Sequence, residues 1–128
     1  MALYLGIDIG TSASKGVLID DRCNIVCQAS CGHETDNPCD GWYQHDAEAV
    51  WWGDFCRLSR ELVARSGVNA AQIGCVGLSA LGCDCVPVDT ECNALAPAIL
   101  YRVDARSKPQ IDELLSEYGS DRARELFG

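Results

Sequence analysis

The chain has 128 residues, of which 48% are hydrophobic and 23% charged, the composition of an ordinary globular protein of one domain or part of one, not of a disordered chain. The 19 acidic residues outweigh the 10 basic ones to give a net charge of -9, and no stripe of basic residues forms, which excludes a nucleic-acid partner and disfavours an anionic membrane surface. No apolar run is long enough to span a bilayer, and the segment from Met1 to Gly10 has no basic residue and carries Asp8 within its apolar run, so the sequence predicts a cytoplasmic protein without a secretory leader.

In chain order, Leu3, Leu5, Ile7 and Ile9 alternate with Tyr4, Gly6, Asp8 and Gly10, which predicts a strand with one apolar face. Gly10-Thr11-Ser12 is a turn. Residues 15–20 form a second strand ending at Asp20-Asp21-Arg22, and 24–30 a third, so the three make an antiparallel meander. The polar stretch from His33 to Gly41 is a loop. Asp46 is the expected N-cap of a helix over 47–65, with Trp51, Phe55, Leu58 and Leu62 as its apolar stripe and Ser66-Gly67 as its end. Trp51 and Trp52 are expected in the core, His45 at the surface or a cleft rim, and Trp42 as a staple before the cap or a cleft wall. Strands follow at 73–79 and 85–88, an extended piece at 98–101, and helices from Ser107 and from a cap at Asp121. The expected fold is α/β, with a mixed sheet of three antiparallel strands and a parallel strand reached over the long helix.

Nine cysteines cannot all pair within one chain, and no C-x-x-C or zinc-finger spacing occurs. They are expected to be mostly small buried hydrophobes in a reducing compartment. A metal or cluster site using Cys83 and Cys85 is the alternative.

The richest segment is Gly6-Ile7-Asp8-Ile9-Gly10-Thr11-Ser12-Ala13-Ser14-Lys15. A buried strand brings the carboxylate of Asp8 beside a tight turn. Gly10 is able to take a positive φ and admits a ligand to the backbone. Thr11 and Ser12 add hydroxyls and backbone N–H groups, and Lys15 returns a positive charge on the next strand. Such a set suits a phosphate chain with a hydrated Mg²⁺, an ion that keeps most of its waters. The other reading is an ordinary hairpin with Asp8 as a turn acceptor.

The D-x-G-T-S hairpin resembles the first phosphate motif of the sugar kinase, chaperone and actin superfamily. Gly41-Trp42-Tyr43-Gln44-His45-Asp46-Ala47-Glu48 resembles the "GW.EQDP" helix entry of the FGGY carbohydrate kinases. Ile73 to Ser79 resembles that family's "I.aIgiSgq" strand, and Pro97 to Arg106 its "PAILW.D.R" segment. The four motifs occur in the family's order. The chain is similar to the xylulokinase-like members.

This resemblance implies a ribonuclease-H-like, actin-like ATPase domain and transfer of the γ-phosphoryl of ATP to a sugar or polyol hydroxyl. It implies that Asp8 orders the Mg²⁺ shell through water and that Gly10, Thr11, Ser12 and Lys15 face the phosphates. Where xylulokinases carry "SGQMHG", this chain reads Ser79-Ala80-Leu81-Gly82-Cys83-Asp84, so the Met-His pair is lost; the Arg-Glu pair of glycerol kinases is absent too. Leu81, Gly82 and Cys83 become the pocket wall, and Asp84 is a hydroxyl acceptor or an exposed loop acid. Tyr101 stacks on a sugar ring or packs in the core. Asp104 binds the sugar or pairs with Arg106.

The resemblance also implies that residues 1–128 are the N-terminal portion of the first of two actin-like domains. The aspartate base and the adenosine-binding domain are expected beyond residue 128, so the segment alone is expected to be inactive, and its uncovered surface favours self-association. Two other readings remain: an ATPase activator of the dehydratase-activase type with a Cys-bound cluster, and a non-catalytic binding module of the same fold.

Overall fold

The computed structural model describes residues 2–127. Three strands, β1 (Leu3–Ile9), β2 (Ala13–Asp20) and β3 (Ile25–Gly32), form the meander; the two-residue strand β4 (Gln44–His45) follows. Residues Ala47–Trp52 make a π-helical turn that runs into helix α1 (Gly53–Ser66). Strand β5 (Ile73–Ser79), the short β6 (Ala98–Ile99) and helices α2 (Lys108–Tyr118) and α3 (Ser120–Phe127) complete the chain. The main sheet has the order β3-β2-β1-β5, with β1–β2 and β2–β3 antiparallel and β1–β5 parallel. This is the mixed sheet that the alternation and the crossover helix predict. A second, two-stranded sheet pairs β4 with β6.

The core lies between one face of the sheet and α1. Leu3, Leu5, Ile7 and Ile9 of β1 and Leu18 of β2 pack against Leu58 and Leu62. Burying a leucine side chain contributes about 2 kcal/mol, so this stripe rather than intrinsic propensity holds α1 in place. Gly16 makes the close approach possible: a Cβ there would lie 2.8 Å from Leu62 Cδ1 and 3.0 Å from Ile7 Cδ1. The opposite sheet face, carrying Tyr4, Gly6, Asp8, Lys15 and Ser79, has no helix over it.

Asp46 caps the π turn, its Oδ1 accepting from the Ala49 N–H at 2.8 Å, and Gly67 ends α1 in the left-handed region at φ 68°. Gly119, at φ 75°, separates α2 from α3. Several expectations need correction. Residues 85–88 form no strand: only isolated bridges join Cys85 to Ile99 and Val88 to Ala94, because Pro87 has no N–H to extend a ladder. Asp121 lies in the first turn of α3 instead of capping it. Trp52 is outside the core, 57% exposed and stacked on Phe55, whereas Trp51 is half-buried and packs against the core as expected. Most cysteines are not buried: Cys23, Cys39, Cys75, Cys83, Cys85 and Cys92 are exposed, Cys56 is intermediate, and Cys27 and Cys31, also intermediate, pack against the core. No helix of the described residues is long and apolar enough to cross a membrane.

Candidate functional site

The end of β1 and the bend after it form the site. Asp8 pairs in register with Lys15 on β2 and with Ser79 on β5, so a carboxylate, an ammonium and a hydroxyl share one patch of the uncovered face. A groove of about 910 Å³ is lined by Gly6, Asp8, Lys15, Gly77 and Ser79 and also by Glu61 and Arg65 of α1. Asp8 and Lys15 are exposed, and neither side chain enters a hydrogen bond or ion pair among the described residues. The carboxylate is therefore open to a ligand.

The bend itself is Gly10-Thr11-Ser12. Gly10 does not use a positive φ, contrary to the expectation; its glycine is needed because a Cβ would lie 2.8 Å from the Ala13 carbonyl oxygen. That oxygen accepts from the Gly10 N–H at 3.1 Å and closes the turn. Thr11 and Ser12 are exposed at its tip.

Behind the bend lies a buried polar cluster that the sequence reading did not assign to the site. Asp54 of α1 is 2% exposed and accepts from Ser14 Oγ, with His33 Nδ1 also 2.7 Å from the same oxygen. Burial pushes this carboxyl's pKa up, but hydrogen bonds from Ser14, His33 and Cys31 outweigh it and hold the pKa below the usual carboxylate value. Burial and the Asp54 carboxylate together raise the Cys31 thiol to about 11, so it stays protonated at neutral pH. His45 is 1% exposed, not at a surface or cleft rim. Its Nδ1 accepts from the Trp51 indole N–H at 3.1 Å, which leaves the proton on Nε2, 3.1 Å from the Thr11 carbonyl oxygen. Burial first, then the neighbouring His33 ring, lowers its pKa.

These groups had a signal in the sequence. Asp54 stands four residues before Leu58 and eight before Leu62, in phase with the apolar stripe, and a carboxylate there must find partners. Ser14 pairs with Ile9 and so faces the same core. The two histidines are the only ones in the chain.

The other candidates gather at a second place. Asp84 Oδ1 accepts from the Tyr101 N–H at 2.7 Å, and the Cys85–Ile99 bridge ties the 81–85 loop to β6. Asp84 Oδ2 is buried without a hydrogen-bond partner. Asp84 is thus neither a fully exposed loop acid nor a satisfied one. Leu81 is half-buried, and Gly82 and Cys83 are exposed, Cys83 at φ 65°. Tyr101 is 55% exposed, so it is not packed in the core.

Asp104 is engaged differently. Its oxygens accept from the Tyr43 N–H at 2.7 Å and from Arg106 Nε at 2.9 Å, and its side chain is 4% exposed. Burial opposes the charge, yet Arg106 and the Tyr43 N–H hold its pKa below the usual value. Arg106 in turn lies over the Trp42 ring at 4.2 Å. The pairing with Arg106, one of the two expected roles, is the one the geometry contains. Among the described residues no group of three or more His, Cys, Asp or Glu side chains is arranged to hold a metal.

Comparison with known proteins decides the family. A family model described as the N-terminal domain of the FGGY family of carbohydrate kinases matches residues 3–128. The chain belongs to the FGGY family of carbohydrate kinases. Among curated FGGY relatives, the glycerol kinase of Methylorubrum extorquens is 29% identical over 123 residues, 95% of this chain and 24% of that protein. The glycerol kinase of Trichormus variabilis is 29% identical over 86% of this chain and 22% of its own. The chain thus spans about a quarter of the length of these relatives. A crystal structure of a xylulose kinase from Brucella ovis superposes with a TM-score of 0.80 at 32% identity, covering 90% of this chain and 24% of that one. A Plasmodium falciparum glycerol kinase with ADP gives 0.78 at 25% identity, covering 92% and 24%. The FGGY fold is the actin-like ATPase fold, and the sheet order and crossover described above form an incomplete domain of it.

Proposed function

We propose that this chain supplies the phosphate bend and part of the sugar-binding wall of an ATP-dependent kinase that phosphorylates a sugar or polyol hydroxyl. The observation that carries the reading is the unpaired carboxylate of Asp8, exposed beside the bend and above an open groove. In the reaction a substrate hydroxyl bonds to the γ-phosphorus of ATP, the bond to the bridging oxygen breaks, and ADP leaves. Such a transfer depends mainly on positioning and on neutralising charge over the phosphate oxygens.

Gly10, Thr11, Ser12 and Lys15 take the phosphates. The bend offers backbone N–H groups and hydroxyls, and Lys15 offers its ammonium from the neighbouring strand. Asp8 fits a hydrated Mg²⁺, because the ion needs only one or two carboxylates and this one has no competing partner. When bound, that ion supplies charge neutralisation of the phosphate chain.

For the substrate we assign Leu81, Gly82 and Cys83 to the wall, Tyr101 to stacking and Asp84 to hydroxyl recognition. The Asp84 Oδ2 has unused accepting capacity, which a substrate hydroxyl would meet once the groups covering that oxygen give way. Asp104 clamps Tyr43 to Arg106 and in this reading also lies at the sugar end of the site. Residues 1–128 are the N-terminal portion of the first of two domains in this reading, with the general base outside them. Exposed Val76 and Leu78 at the β5 edge would favour self-association of this segment by itself.

The test is sugar-dependent ADP release by the complete reading frame containing residues 1–128, against ketoses, aldoses, polyols and sugar acids. Release with at least one member is expected, and none from residues 1–128 alone. No release across the panel contradicts the proposal.

A further inference from the structure

The bend is held by its carbonyl groups. Thr11 O is 3.1 Å from His45 Nε2 and accepts from Thr35 Oγ1 at 3.1 Å; Ser12 O accepts from the His33 backbone N–H at 3.1 Å. Gly10 O is 3.0 Å from His33 Nε2. Consecutive carbonyls of one short turn are thus all bound by groups from other parts of the chain. The N–H groups of Thr11 and Ser12 enter none of these bonds.

A trans peptide points its C=O and the following N–H in opposite directions. Drawing the Gly10 and Thr11 carbonyls toward the histidines therefore turns the Thr11 and Ser12 N–H groups away from them. Those N–H groups are the ones an anion at the bend would meet.

The two rings that do the drawing are themselves fixed. His33 Nδ1 is 2.7 Å from Asp54 Oδ2, an oxygen that also accepts from Ser14 Oγ. His33 thus faces an acceptor on each side, the Asp54 carboxylate at Nδ1 and the Gly10 carbonyl at Nε2. His45 is held by the Trp51 indole, which selects the tautomer that donates to Thr11. The rings meet edge to face with centroids 5.0 Å apart. Asp54 and Trp51 stand on α1 and on its opening π turn. The chain of contacts therefore runs from the core helix through two histidines into the bend.

We propose that His33 and His45 are positioning residues for phosphoryl transfer, which hold the bend with the Thr11 and Ser12 N–H groups aimed at the nucleotide's terminal phosphates. This rests on the reading of the bend as the phosphate site. Neither ring touches the reacting atoms; each acts through a backbone carbonyl.

The test uses the complete reading frame containing residues 1–128, well below the melting midpoint of every variant. His33→Phe fills the space but cannot donate to Gly10 O. It is expected to lower kcat roughly tenfold or more and to weaken MgATP, with the sugar KM changed less than about twofold. His33→Gln keeps an amide donor and is expected to recover part of the loss. His45→Gln, which is able both to accept from Trp51 and to donate to Thr11, is expected to lose less than His45→Phe. A merely structural role predicts lowered melting midpoints with kcat and both KM values unchanged, and that result overturns the proposal; so does an equal weakening of sugar and MgATP.

Calorimetric binding of MgADP separates this inference from the kinase reading. If the wild type binds MgADP but phosphorylates no sugar, the kinase reading fails. The inference then stands if His33→Phe weakens MgADP by at least about fivefold and fails if it does not. If the wild type binds no nucleotide, both fall.

Discussion

The Oδ2 of Asp54 lies 2.7 Å from His33 Nδ1, in a buried polar cluster at the end of the apolar helix–sheet core. A carboxylate in that position is tolerated because every approach to it brings a donor. Its folded pKa is lowered, so its stabilisation is present above the unfolded value of 3.8 and is lost as pH falls through the folded value.

His45 adds a second acid-sensitive contribution of the same sign. Its pKa is lowered from 6.5, so as pH falls below that value the unfolded chain takes up a proton that the folded chain does not. The His45 contribution is therefore expected to be lost between pH 7.5 and 5.5, and that of Asp54 below pH 4. Urea unfolding midpoints at these pH values check this, with His45→Gln expected to flatten the upper step. A wild-type midpoint that changes between pH 7.5 and 5.5 as that of His45→Gln does contradicts it.

Gly16 tests the packing of α1 on the sheet. Its missing Cβ leaves room for Leu62 and Ile7, whose terminal methyl groups have some freedom to shift. Gly16→Ala is expected to cost about 1 kcal/mol and Gly16→Val up to about 3 kcal/mol, as overpacking does. Denaturant midpoints measure both; a Val variant as stable as the wild type would show that α1 is not seated there.

Two turns share a local design. Asp20 accepts from the N–H groups of Arg22 and Asn24, Asp89 from those of Glu91 and Asn93, and in each turn a cysteine takes the left-handed position: Cys23 at φ 62° and Cys92 at φ 66°. Glycine takes this conformation without the steric cost. Cys23→Gly and Cys92→Gly are each expected to stabilise by about 0.5 kcal/mol after the added unfolded-state entropy is offset, while Cys23→Val destabilises. Thermal melting separates the two directions.

The meander, the long helix and the parallel strand were legible because their apolar periods are strong. Leu3 to Ile9 alternate without a break, and Leu58 and Leu62 recur at helical spacing. The Asp8 patch was legible for the same reason: strand parity puts Asp8 and Lys15 on one face. What escaped was the far side of the bend. His33 and His45 sit in polar stretches that read as surface, and nothing local shows that three carbonyls of the bend need donors. That requirement arises only when the hairpin, the 33–45 loop and α1 meet. The cysteines differ in the opposite sense: small hydrophobes by type, several of them lie in turns, as Cys23 and Cys92 do, or on the exposed surface. The 85–88 stretch alternates like a strand, yet Pro87 and a two-residue partner reduce it to single bridges.

In the proposed reaction the Asp8 carboxylate serves the nucleotide's metal and phosphates. Replacing it with asparagine keeps the size, and the side chain is exposed with no hydrogen bond to lose. In the complete reading frame, Asp8→Asn is expected to lower sugar-dependent ADP release by roughly a hundredfold or more while the melting midpoint stays near the wild-type value. Turnover equal to the wild type at saturating Mg²⁺ and ATP would contradict the account.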